Sequence, residues 1–243
     1  MSVARSARRL SAAFAATAPI AILLSGCVST QTVAARARLV DARTLASQNA
    51  TTVVQANATV SVGAPVLIRE HATAAIVVEL HNDSARALTD LPISVGVRTR
   101  SGRKTYLNRS ASLDYFQSHV ASLGAYASTT WVFTTVVRVP SGRAFATVGA
   151  SQLHPSLSRS LPLITVTASG GASLRLSIRN RSTIPQYDLP VYAVALRAGR
   201  AVAAGETTLA HLGTLATTTT TLGLVGSSRY GSLQLIASPT IFN

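Results

Sequence analysis

The sequence predicts an all-β protein: two copies of one sandwich unit, behind an amino-terminal leader and a short tether. Three observations carry this. Beyond residue 50 the apolar residues alternate with period two, as in Thr59-Val60-Ser61-Val62, Ile93-Ser94-Val95-Gly96-Val97, Ser173-Leu174-Arg175-Leu176-Ser177-Ile178 and Ser232-Leu233-Gln234-Leu235; strict alternation is the pattern of a strand with one face buried. No stretch after the tether shows a convincing apolar stripe at helical spacing. Short motifs recur at an offset of 98 residues, which points to an internal duplication.

Composition bounds the function. The chain has 243 residues, with 22 Lys+Arg against 8 Asp+Glu and a formal net charge of +14. At 47% hydrophobic residues a packed core is available, while 12% charged and 5% aromatic residues argue against a coiled coil or an aromatic-rich carbohydrate groove. One cysteine excludes an internal disulfide framework and a Cys-cluster metal site. Lys104 is the single lysine and every other basic residue is arginine. With the abundance of alanine, that reads as GC-rich coding, as in actinobacteria, and not as selection for nucleic acid; no nucleic-acid partner is expected.

Residues 1–26 read as an export signal. Arg5, Arg8 and Arg9 form a basic start, and no residue from Leu10 to Leu24 is charged. Fifteen helical residues span roughly 22 Å, short of the roughly 30 Å hydrocarbon core, so the segment suits a signal peptide better than a membrane span. Leu24-Ser25-Gly26-Cys27 follows and resembles the bacterial lipobox, with a branched apolar residue, two small residues and a thiol. The resemblance implies a diacylglycerol attached to the Cys27 thiol and cleavage just before it. The mature chain would keep 19 Lys+Arg against 8 acids, a net charge of about +11. Acyl chains contribute roughly 0.8 kcal/mol per buried CH2, which makes the membrane, through acylated Cys27, the first expected partner. The expected location is the outer face of the cell membrane, or an envelope membrane facing the periplasm in a diderm. Asp is absent at the residue after Cys27, where it would suggest inner-membrane retention.

Residues 27–50 form the lipidated cysteine and a juxtamembrane tether. Ala35, Leu39, Ala42 and Leu45 or Ala46 recur at helical spacing beside Arg36, Arg38 and Arg43. The stripe is mostly alanine, so a loose stalk of helical propensity is the better reading than a helix lying on headgroups. Fully extended, it would reach about 75 Å.

Residues 51–152 and 163–243 are the two expected units, divided by the turn-rich stretch from Gln152 to Pro162. Asn82-Asp83-Ser84 and then Asp90-Leu91-Pro92-Ile93 in the first match Asn180-Arg181-Ser182 and Asp188-Leu189-Pro190-Val191 in the second. Gly turns follow at Ser101-Gly102-Arg103 and Ala198-Gly199-Arg200. Ser122-Leu123-Gly124-Ala125 then matches His211-Leu212-Gly213-Thr214, each leading into a β-branched run. The second copy is eight residues shorter between its Gly turn and the Leu-Gly pair. About seven short strands in each copy, without an antibody-type Cys pair, resemble an immunoglobulin-like sandwich. The order of motifs resembles FxLYD-type and related domains of bacterial envelope proteins. The resemblance implies an extracytoplasmic interaction module and supplies no catalytic residues. Asn82, Ser84 and their repeat mates are expected to cap strand ends through Asx and Ser turns. Pro92 and Pro190 are expected at a strand's first residue or on an edge.

The search for chemistry finds little. No nucleophile elbow, Walker loop or dinucleotide-binding glycine pattern occurs. Glu79 and His81 would share a strand face near Glu70-His71, so a surface metal site is geometrically conceivable, but the spacing matches no ligand pattern. No metal, cofactor or enzymatic activity is expected. Gly226 to Gly231 reads as a hairpin loop. One charge cluster stands out: Arg98, Arg100, Arg103, Lys104 and Arg109 lie on two strands and their turn with no acid between, Arg98 and Arg100 on one face. Such a hairpin suits an anionic wall polymer, lipid headgroups or an acidic protein. The expected function is a lipid-anchored, non-catalytic envelope protein acting in interaction, adhesion or assembly. The alternative is an accessory or sensory lipoprotein binding an anionic ligand through the basic hairpin.

Overall fold

The computed structural model describes residues 52–110, 112–151 and 161–240. The leader, Cys27, the tether and most of the expected boundary segment lie outside the described residues. The described chain is all-β, in antiparallel sheets with a single 3-10 turn at Tyr115–Gln117. Among the described residues no helix is long and apolar enough to cross a membrane.

The first unit contains β1 (Val60–Val62), β2 (Val66–Glu70), β3 (Thr73–Asn82), β4 (Leu88–Arg98), β5 (Lys104–Tyr106), β6 (His119–Leu123), β7 (Ser128–Thr135) and β8 (Arg143–Val148). β3 is the centre of one sheet, with β7 along one edge and β1 and β2 in succession along the other. β4 is the centre of the facing sheet, with β8 along one edge and β5 and then β6 along the other. Ile76, Val78, Leu80, Trp131 and Phe133 meet Leu91, Ile93, Val95, Val120 and Leu123 in the core between them. Trp131 is fully buried and its Nε1–H donates to the Phe116 carbonyl at 3.2 Å.

The second unit repeats the plan with β9 (Ile164–Gly170), β10 (Ser173–Asn180), β11 (Gln186–Arg197), β12 (Arg200–Leu212), β13 (Thr217–Gly223), β14 (Val225–Gly226) and β15 (Ser232–Ala237). β10 lies between β9 and β13; β11 lies between β12 and β15, with β14 on the far edge of β12. The threonine run forms β13, as its β-branched side chains favour. Gly226 belongs to β14, opposite Ala203, so the expected loop is confined to the residues after it.

The eight-residue difference has a structural counterpart. β12 runs as one strand along β11, whereas its equivalent in the first unit is broken into β5 and β6 by residues 107–118, which include the 3-10 turn. The Asn108 side chain fills the gap this leaves in the ladder. Its Oδ1 accepts the Val95 N–H at 2.9 Å and its Nδ2 donates to the Ile93 and Gln117 carbonyls at 2.7 and 3.1 Å.

The prolines depart from expectation: Pro92 and Pro190 lie inside β4 and β11, the central strands of their sheets. Each sits one residue before the neighbouring edge strand begins to pair, at Ile93 with β8 and Val191 with β15. Each proline carbonyl still accepts a backbone N–H, from Gly149 at 2.8 Å and from Ser238 at 3.1 Å. The missing N–H therefore falls on the edge shared with β8 or β15, just beyond the last ladder pair there. Two residues earlier Asp90 (φ 57°) and Asp188 (φ 48°) adopt left-handed backbone, which aspartate tolerates, and the pairing skips both.

The two units pack sheet against sheet. On β3 the residues Ala74 to Val78 are all buried, although a strand with one face in water would alternate. Ile76 and Val78 face their own core. Ala75, Val77 and their partner Val132 on β7 face the second unit, where Tyr192, Val194 and Ala204 close the same apolar cluster. On β11, Leu189, Val191 and Ala193 point into the second unit's own core. The result is four layers, with the two middle sheets buried on both faces.

Candidate functional site

The repeated Asn/Ser pair is the best-defined polar feature, and its geometry is the same in both copies. Asn82 Nδ2 donates to the Arg86 and Gly124 carbonyls at 2.7 and 2.9 Å; Asn180 Nδ2 donates to those of Ile184 and Gly213 at 2.8 and 3.0 Å. Each Oδ1 accepts the N–H and hydroxyl of the serine two residues on, at 2.7 to 2.9 Å. Both asparagines are fully buried. Each therefore ties two loops to a strand end, a bond set that leaves no group to face a ligand.

The candidate metal residues do not converge. Glu70 Oε2 accepts the Gly226 N–H from the second unit at 2.7 Å, and His71 is exposed in the turn after it, at φ 51°. His81 lies 2.9 Å from the Ser128 hydroxyl through Nδ1 and 3.5 Å from Asp83 Oδ1 through Nε2. No group of three His, Cys, Asp or Glu positioned for a metal occurs among the described residues. Glu79 instead lines two shallow grooves of about 480 and 530 Å3 between the units, together with Thr130 and Gln234.

The basic hairpin is more coherent than its sequence spacing indicated. Arg98 ends β4 directly opposite Lys104, and Arg143 at the start of β8 stands opposite Arg98 on its other edge. Three cations thus form a row across the sheet, all exposed, and none pairs with an acid among the described residues. Like charges directly opposite one another cost stability, so the row is not a feature that folding favours. Arg143 could not have been found without the strand register. Arg100 and Arg103 are exposed in the turn closed by the Thr99 N–H to Arg103 carbonyl bond of 3.0 Å. Arg100 therefore shares no strand face with Arg98, because the ladder ends at Arg98. Behind the row, Tyr106 and Phe145 meet edge to face at 5.2 Å over Gly96, their common partner. A Cβ at Gly96 would lie 2.1 Å from the Thr105 carbonyl oxygen and 2.8 Å from the Phe145 ring. Lys104 Nζ sits 5.3 Å above the Phe145 ring and the Arg109 guanidinium 5.3 Å above that of Tyr106, so the rings hold these cations in place.

The seam between the units contains a residue that the sequence does not single out. Glu206 on β12 sends Oε1 towards the first unit, where it accepts from Thr134 N–H (2.7 Å), Thr134 Oγ1 (2.9 Å) and Gln117 Nε2 (2.9 Å). Burial raises its carboxyl to about 7 and the Asp114 charge adds to the rise, while the bonds from Gln117 and Thr134 oppose it. Tyr192, directly opposite on β11, is pushed well above the ordinary phenol value by burial and by the Glu206 charge, and its hydroxyl has no hydrogen-bond partner among the described residues. Gln117 reaches the seam because the first unit's insertion carries it there. Asn108 and Glu206 are themselves 98 residues apart, the repeat offset, so one position serves as a ladder plug in one copy and as a seam contact in the other.

No family model matches the chain, and no curated protein matches it. The FxLYD-type resemblance therefore rests on the short motifs alone.

Proposed function

We propose that this chain is an exported, lipid-anchored, non-catalytic envelope protein. In this reading the units 51–152 and 163–243 act together as one rigid interaction or assembly module held near the membrane by acylated Cys27. The observation that supports it most is the seam: two sandwiches that share one apolar cluster present a single body with fixed relative faces. The polar residues common to both copies are consumed by turns. Pull-down with the intact anchored protein tests it: a discrete envelope partner is expected, and turnover of a substrate by the purified chain would refute it.

A second reading is favoured by the cation row. Arg98, Lys104 and Arg143, extended by Arg100, Arg103 and Arg109, supply the charge to hold a polyanion without any buried ion. Arg98→Glu with Arg100→Glu should abolish retention on anionic vesicles or cell-wall material; unchanged retention would end this reading.

A further inference from the structure

The row of cations is one side of a larger basic end of the first unit. Three connections meet there: the turn 70–73 between β2 and β3, the turn 99–103 between β4 and β5, and the loop 136–142 from β7 to β8. The register requires this, since Ala74 pairs with Thr135 and Arg98 pairs with both Lys104 and Arg143. Arg69 and Arg138 add exposed arginines to the cluster. The one acid in these connections, Glu70, accepts the Gly226 N–H.

Two valines stand out of the same end. Val136 is 82% exposed and Val137 61% exposed, in a loop pinned from both sides. Arg69 Nη2 donates to the Pro140 carbonyl at 2.8 Å, and Gly142 is so close to β4 that a Cβ there would lie 2.3 Å from the Arg98 carbonyl oxygen. A pinned loop that holds two aliphatic side chains in water among arginines forgoes an easy gain, because the same loop with polar residues would lose nothing inside the fold. The exposed Tyr126 and Leu215 contrast with this. They occupy matching left-handed turn positions in the two copies and so belong to the repeat, whereas Val136 and Val137 are confined to this end of the first unit.

The start of the described chain lies on the adjoining face. The Val53 N–H donates to Ser94 Oγ at 2.8 Å, and Ser94, Gly96 and Arg98 project from the same side of β4. Val53 thus stands roughly 13 Å along the strand from the cation row, beside Gly149 and Pro92 at the other end of β8. Its neighbour Val54 is 91% exposed.

We infer that this end docks on an anionic lipid bilayer, with Val136 and Val137 at the headgroup boundary and the surrounding arginines on phosphates. The inference rests on the lipid-anchored reading above and commits its basic surface to lipid. A bilayer suits the chemistry better than a chain-like polyanion, since a polyanion has no use for the exposed aliphatic side chains of Val136 and Val137. One acyl attachment and one basic, apolar tip are two signals that reinforce each other. The sandwich would then lie against the membrane.

The test uses the full chain carrying Val136→Trp, mixed with vesicles of phosphatidylglycerol or of phosphatidylcholine that contain brominated lipid. Trp131 is fully buried and gives a constant background. The added indole should be quenched in the anionic vesicles, unquenched in the zwitterionic ones, and released by high salt. Arg98→Ala with Arg143→Ala should lower the ratio of docked to undocked protein roughly thirtyfold, at the usual attraction per basic residue beside an anionic surface. Val137→Trp repeats the reading where the first substitution disturbs the loop. An unquenched indole on protein that sediments with anionic vesicles would overturn the inference. So would equal quenching on both lipids, or a soluble anionic wall polymer protecting the indole better than vesicles do. The mass of the amino-terminal peptide reports the anchor separately, and an unacylated chain still reads docking on added vesicles.

Discussion

Replacing Glu206 by glutamine tests the seam between the units most directly. The substitution keeps the size of the side chain and an acceptor for the Thr134 N–H and hydroxyl, and removes the titration. Burial raises the carboxyl from 4.5 to about 7. An acid with a raised native value is easier to protonate in the folded state than in the unfolded state. Its contribution is therefore fully present below about pH 4.5, falls as pH rises, and is gone above about pH 7. A shift of this size corresponds to about 3 kcal/mol across that window. Urea unfolding of both proteins from pH 4.5 to 8.5 supplies the assay. Groups other than residue 206 are common to variant and parent, so the difference between the two isolates this position. The glutamine variant should gain about 3 kcal/mol relative to the parent between pH 4.5 and 8, nearly all of it below pH 7.5. A difference that stays flat with pH would refute the claim that a carboxyl is buried between the two sandwiches, whatever the mean stability of the variant.

Other substitutions probe the remaining parts. Asn82→Ala and Asn180→Ala each strand buried carbonyls and a serine, and each should cost about 2–4 kcal/mol in denaturant unfolding; a loss of binding from either without a loss of stability would assign it a site role. Gly96→Ala should cost about 1–3 kcal/mol or more, because the added methyl overlaps the Thr105 carbonyl and the Phe145 ring. Faster hydrogen exchange in β5 should accompany it, and an unchanged exchange pattern would contradict the packing described. Trp131→Phe removes the Nε1–H donated to Phe116 and opens a space in the core. It should destabilise by about 1–3 kcal/mol, and a neutral result by calorimetry would place the indole outside the core.

The repeat and the all-β architecture were legible because alternation and turn chemistry act locally. Leu174-Arg175-Leu176-Ser177-Ile178 states in five residues which face of β10 meets water. The seam was less legible, yet it left a trace. Where the second copy alternates, the first reads Ala74-Ala75-Ile76-Val77-Val78, the continuous run of a strand buried on both faces. The Thr217 to Thr221 strand faces solvent, and its counterpart with Trp131, Val132 and Phe133 does not. Comparing the copies for where alternation fails would have located the interface. Glu206 left no such trace: it is one acid among eight, and its environment is built by Gln117 and Thr134, both more than 70 residues away. Arg143 is hidden for the same reason, since only strand register brings it opposite Arg98. The interior prolines mislead a local rule because their tolerance depends on where a neighbouring strand begins.

Mass spectrometry of the protein extracted from cells in detergent bears most directly on what this chain is. A terminal peptide that begins at Cys27 and carries the mass of a diacylglyceryl group is the expected result. An intact, unmodified start at Met1, or a cut elsewhere that leaves a free Cys27 thiol, would contradict attachment to the membrane by fatty acids.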